Sequence, residues 1–322
     1  MPNTSDETWP IVEEAVLRLF EGLPAHHLRL GPKLAEMGWA EIESEYPIES
    51  TEALFCAQGR HLTQTDCLDR VMLAELKGAL VDPADAVLLP FPDTEARDDG
   101  QIAGIVLGPL RGRIAVPVTD SRGTVSVTVI DADQLHGSAV DTFDPTISWT
   151  RVHGPDAQTG LADSSQEWSR ALAAAQRALG TELTAITEQT LRIAVEHVSV
   201  RVQFGSPIGA FQSPRHLLAD AWTHLEGARA LVADSWRYGG PLSAQVAKAA
   251  AGRAHRRASD AALQVCGAIG LTDEHPLHRY VTRGVQIDAL CGSYHQLEAQ
   301  LAERLLADDD AACALPAVIT CC

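Results

Sequence analysis

Between Ser164 and about Ala307 the chain is rich in Ala and Leu and carries clear helix start and stop signals, which restrict its fold more than any other feature. Ser213-Pro214 suits an N-cap followed by a first-turn proline. Leu217, Ala221, Leu225, Ala228 and Val232 then recur along one face until Gly239-Gly240 stops the helix and Pro241 starts the next. That next helix runs through Val246, Ala249, Ala250, Arg253, Arg257, Ala261 and Val265 toward Gly267, and its small residues permit close helix packing. The spacing predicts a bundle of about four long helices over residues 164–308, with 309–322 as a loose tail.

Upstream the periodicity changes twice. Over residues 1–81 Ile11, Val12, Ala15, Val16, Leu19 and Phe20, and later Leu68, Val71, Met72, Leu73, Leu76 and Leu80, recur at steps of three and four, which predicts a small helical unit. Over residues 82–163 the period becomes two: Ile114, Val116 and Val118, then Val125, Val127 and Val129, flank a turn at Asp120-Ser121-Arg122-Gly123. With Val87 to Phe91, Ile102 to Leu107 and Ile147 to Val152 as further runs, this reads as a small antiparallel sheet or barrel, with Pro117 at an edge or bulge. The expected class is α+β, mainly α: a helical N-terminal domain, a middle β-domain and a C-terminal four-helix bundle.

Composition excludes several functions. A net charge of −18 with dispersed basic residues disfavours a nucleic-acid partner, although one or two well-placed Arg side chains can still hold a pyrophosphate. Apolar runs end well before about 20 residues, which argues against a membrane span, and the opening MPNTSDETWP lacks the parts of a secretory signal. A cytoplasmic protein is expected. The seven cysteines (Cys56, Cys67, Cys266, Cys291, Cys313, Cys321, Cys322) form no CxxC pair, so reduced thiols are expected rather than a disulfide framework or zinc site.

Two long motifs lie in the bundle. Arg201 to Gln212 reads RVQFGSPIGAFQ, and Gln264 to Tyr280 reads QVCGAIGLTDEHPLHRY. They resemble the RxQFGxPIGxFQ and QxxGGxGFTxEHPLHRY segments of acyl-CoA dehydrogenases, the second departing chiefly at Ala268, where the family has glycine. Leu34-Ala35-Glu36-Met37-Gly38-Trp39 is similar to the family's LAELGW opening. The resemblance implies that Arg201, Gln203, Phe204, Phe211, Gln212, Gln264, Gly267 and Ala268 contact the diphosphate and adenine portion of FAD across a subunit interface. A guanidinium suits this task because it pairs with phosphate through two parallel hydrogen bonds. His275 and His278 with Glu274 are adjacent ligand-type side chains, but the resemblance assigns them to shaping a loop and no third or fourth ligand is evident, so no metal is expected.

Other family features have no match. Dehydrogenation of an acyl thioester needs a carboxylate to take the α-proton while hydride passes to flavin N5. The family's Glu-Gly-Thr segment falls on Cys291-Gly292-Ser293, or one residue later on Gly292, and neither position is an acid. The base position of branched-chain members falls near Ala175. Glu182, Glu188 and Glu196 lie on the same helix, where their spacing suggests solvated or paired surface groups, and Cys291 reads as core packing. The loop and strand that hold the flavin ring and thioester have no counterpart between Asp82 and Asp163.

These absences give three readings. In the first, the chain resembles the shortened subunit of hetero-oligomeric actinobacterial acyl-CoA dehydrogenases acting on bulky, steroid-type thioesters. A full-length partner then supplies the base and ring pocket, in a heterotetramer sharing FAD. The second is a self-sufficient dehydrogenase with a displaced base such as Glu182 or Glu196. The third is a flavin-free scaffold or regulatory homologue.

Overall fold

The computed structural model describes residues 8–24, 26, 29–91, 101–156 and 162–306. Five helices come first: α1 (Thr8–Glu21), α2 (Gly31–Glu36), α3 (Trp39–Glu45), α4 (Pro47–His61) and α5 (Cys67–Leu76). Six strands follow: β1 (Ala86–Val87), β2 (Gln101–Leu107), β3 (Arg113–Thr119), β4 (Val125–Asp131), β5 (His136–Ala139) and β6 (Trp149–Asp156). The bundle comprises α6 (Ser165–Val200), α7 (Gln212–Tyr238), α8 (Pro241–Cys266), α9 (Leu277–Ala289) and α10 (Tyr294–Leu306), with a short hairpin of β7 (Val202–Gln203) and β8 (Ser206–Pro207) between α6 and α7. The expected tail at 309–322, with Cys313, Cys321 and Cys322, lies outside the described residues.

The strands form two three-stranded sheets, ordered β1-β3-β4 and β2-β6-β5. β3 and β4 pair in antiparallel register from Arg113 opposite Asp131 to Thr119 opposite Val125. Asp120 closes their turn by accepting the amides of Arg122 and Thr124 at 2.8 and 2.9 Å. The sheet is not wholly antiparallel as expected, because β1 runs parallel to β3. The long connection through β2 provides the crossover that parallel pairing needs, and a two-residue strand carries too little pattern to reveal its direction. Pro117 lies beyond the residues paired to β1, where β3 becomes an edge.

One apolar core joins the N-terminal helices to the bundle: Phe20, Leu34, Phe55 and Met72 pack in the same cluster as Trp149, Leu179, Leu183, Ala247 and Ile287. Smaller clusters fill the far end of α6, α7 and α8 and the interior of the β-domain. Contact between α4 and α6 is close enough that a Cβ added at Gly59 would fall 2.6 Å from the Glu182 carbonyl oxygen. α7 begins at Gln212 with Phe211 as its cap, and no side-chain capping bond forms, contrary to the expected Ser213 cap. Its buried stripe is Leu218, Ala221, Leu225, Ala228 and Val232. Leu217 is 39% exposed, since a one-residue offset turns a side chain about 100° around the helix.

Three regions are fastened by Arg283, the largest fully buried side chain among the described residues. From α9 its Nε donates to Asp144 of the β-domain (2.8 Å) and its Nη2 to the Leu62 carbonyl after α4 (2.9 Å). Burial acts to raise the Asp144 pKa, but Arg283 and the Thr146 hydroxyl and amide outweigh it and hold this carboxyl below its ordinary range.

Candidate functional site at the end of the bundle

The first motif leaves α6 at Arg201 and folds back through the β7–β8 hairpin, closed by the Ile208 amide donating to the Arg201 carbonyl at 2.8 Å. Phe204 and Gly205 at its tip have φ of 53° and 81°. Two consecutive positive φ angles are what a two-residue hairpin turn of type I′ requires, yet phenylalanine is a poor residue for the first. The Phe204 ring is 95% exposed and meets Phe211 edge-on, 6.1 Å between centroids.

The second motif begins where α8 stops. Gly267 takes φ 66° and opens a 3-10 turn over Gly267–Leu271. Ala268 has no positive φ, so replacing the family's glycine there adds no backbone strain. His197 in the last turn of α6 and His275 in the loop before α9 meet with ring centroids 5.6 Å apart, bringing both motifs to the same end of the bundle. Arg201, Gln203, Phe204, Phe211, Gln212, Gln264, Gly267 and Ala268 are all exposed there. A guanidinium, three carboxamides and a glycine opening are the types of donor that a dinucleotide diphosphate takes.

The turn on which the family's Glu-Gly-Thr segment falls faces inward. Cys291 and Gly292 have φ of 55° and 96°, and Cys291 is buried. Lys248, 0% exposed, donates from α8 to the carbonyls of Asp288 (2.8 Å) and Gly292 (3.0 Å), and Gln176 donates to the Cys291 carbonyl at 3.1 Å. Burial, slightly opposed by Lys248, pushes the Cys291 thiol up to about 11, so it is not a thiolate at neutral pH. Ala175 is also buried.

Two of the three acids singled out on α6, Glu182 and Glu188, are buried rather than the surface groups expected. Glu182 is 1% exposed, and burial pushes its carboxyl up to about 7 despite Arg283 and a 2.8 Å bond from Gln58. Its other oxygen has no protein partner and adjoins a cavity of about 20 Å³ lined by Gln58, Thr65, Leu107, Trp149, Arg283 and Leu290. That is room for roughly one water molecule. Glu188 is buried among Arg192, Arg229 and Arg60, at 2.6, 2.6 and 3.6 Å; burial acts to raise its pKa, but these cations hold it below the usual range. Helical spacing did not reveal these positions because α6 is covered on several sides by α4, α5, α8 and α9. Glu196 is exposed.

His278 and Glu274 do not join His275. His278 binds the His275 carbonyl through Nδ1 (2.8 Å) and faces Asp273 through Nε2 (3.4 Å), while Glu274 is exposed. Among the described residues no helix is long and apolar enough to cross a membrane.

Known proteins match both the bundle and the whole fold. The family "Acyl-CoA dehydrogenase, C-terminal domain" matches residues 162–305. Acyl-CoA dehydrogenase IpdE2 of Mycobacterium tuberculosis is 31% identical over 229 residues, covering 70% of this chain and 68% of the relative. The ChsE4-ChsE5 complex from Mycobacterium tuberculosis superposes with a TM-score of 0.73 at 19% identity, covering 96% of this chain and 99% of that one. A Tcur3481-Tcur3483 steroid ACAD variant gives 0.72 at 20% identity, with coverages of 94% and 97%. A helical layer, a small β-domain and a motif-bearing bundle give the chain the same fold as these solved structures. The likeness in sequence is more specific: the chain belongs to the acyl-CoA dehydrogenase family.

Proposed function

We propose that this chain is the shortened subunit of a hetero-oligomeric, FAD-dependent acyl-CoA dehydrogenase, clamping the diphosphate and adenine side of a flavin whose ring and catalytic base belong to a full-length partner. The observation that carries this reading is the pairing of exposed motif residues with a closed interior. All eight motif residues face outward at one end of the bundle, whereas Cys291 is locked inward by Lys248 and Gln176.

The Arg201 guanidinium would pair with phosphate oxygens, and Gln203, Gln212 and Gln264 would supply neutral donors around them. Phe204 and Phe211 would be covered by the partner, removing apolar surface from water. Bound FAD would supply the hydride acceptor, and among the described residues none stands as the base. Glu182 does not fit that role, because a substrate α-carbon cannot enter a space the size of one water. The likeness to ChsE4-ChsE5 supports a two-subunit assembly, for which we expect a heterotetramer, and the steroid ACAD neighbour supports a bulky acyl group.

The test is the visible absorption spectrum of the chain purified alone and after co-expression with a full-length dehydrogenase subunit. A colourless chain and a yellow, thioester-reducible complex that loses flavin in Arg201→Ala are expected. A yellow lone chain reduced by thioester would overturn the reading in favour of a self-sufficient enzyme. Flavin content unaltered by Arg201→Ala would leave the bundle as a scaffold.

A further inference from the structure

Three ligand-type side chains from three separate elements converge beneath the motif end. His197 ends α6, Cys266 ends α8, and His275 lies in the loop before α9. One donor atom from each lies within 4.8 Å of the other two. Cys266 is buried and both imidazoles are half-buried, so any bound ion would be largely shielded from solvent. We propose that His197, Cys266 and His275 form a binding site for a divalent ion of the zinc class.

The donor chemistry selects the ion. Two imidazoles and a thiolate suit a borderline-soft d10 cation better than calcium or magnesium, which take oxygen ligands. Metal–nitrogen and metal–sulfur bonds of about 2.0 and 2.3 Å place tetrahedral donors about 3.3–3.6 Å apart, so the side chains need close by at most about 1.5 Å. Rotation of the half-buried rings supplies such a movement. Three protein donors leave a fourth position to water or an anion.

Protonation also sets terms. Burial pushes the Cys266 thiol up to about 11, so binding must break the Sγ–H bond as the Sγ–metal bond forms, releasing one proton to solvent for each ion. Burial, His275 and Arg201 lower the His197 pKa and favour its neutral, ligating form. The Leu277 amide donates to His275 Nδ1 across 3.3 Å. Ligation through Nε2 would move the ring proton to Nδ1 and give up that long bond. The Arg201 cation repels the ion, and the Cys266 thiolate offsets it.

Such an ion would staple the ends of α6 and α8 to the start of α9, the segments that carry both motifs. The proposal does not depend on flavin binding. Its residues are positioning residues and touch no reacting atom.

Cobalt(II), a zinc-class probe, is to be titrated into the metal-free full chain. A thiolate-to-cobalt charge-transfer band saturating at one ion per chain and displaced by equimolar zinc is expected, with a zinc-dependent rise in Tm. The band should vanish in Cys266→Ser and survive in Cys321→Ser/Cys322→Ser. Cobalt affinity should fall at least tenfold in His197→Gln and in His275→Gln, two half-exposed positions that keep the readout usable if Cys266→Ser misfolds. No band, a band lost with the tail cysteines, or affinity unchanged in both His variants would overturn the site.

Discussion

Glu182 is ionised in the unfolded chain above its ordinary value of 4.5 but holds its proton up to about 7 in the folded state. Below pH 4.5 both states are protonated and burial carries no ionisation penalty. As pH rises toward 7 the unfolded chain loses its proton first, so stability falls, and the loss is complete above 7 at about 3 kcal/mol. Glu182→Gln should therefore unfold at higher urea than the parent at pH 8, the advantage shrinking toward pH 4.5; a pH-independent difference would refute this. Arg283 presents the opposite case. Its removal strands Asp144 in the interior, so Arg283→Met should cost about 3–5 kcal/mol by urea titration, partly restored by adding Asp144→Asn.

Elements meet through backbone as much as through side chains. Gly59→Ala would drive a methyl into the α6 backbone, and a loss of about 1–3 kcal/mol with an unchanged m-value is expected. At the hairpin tip Phe204→Asn supplies a residue tolerant of positive φ before Gly205, and should stabilise the isolated chain by about 1 kcal/mol while lowering flavin retention in the complex. Helices with sharp punctuation, such as Gly239-Gly240-Pro241, were legible in the sequence, as were the β3–β4 alternation and both motifs. β5 was not, because its four exposed residues give no alternating apolar signal. The α6 acids were misplaced for a related reason: periodicity reports one buried face, while Glu182 and Glu188 lie on a helix covered on several sides. The His197, Cys266 and His275 cluster was invisible because its donors are gathered from distant positions by packing alone.

At the scale of the whole molecule, the N-terminal helices, β-domain and bundle share one core and should unfold together rather than as separate units. The hairpin end remains open: Phe204 and the exposed Val202 and Leu271 leave apolar surface in water, so the lone chain should self-associate in sedimentation and cease to do so when paired. The interior offers a contrasting probe. The sequence contains three lysines, of which Lys33 and Lys77 are exposed and Lys248 is enclosed by backbone carbonyls. An amine-reactive reagent should modify the exposed Lys33 and Lys77 first, while Lys248 waits for the α8–α9 junction to open. Mass spectrometry would resolve that one slow modification, making a single buried amine a clock for how often the centre of this protein comes apart.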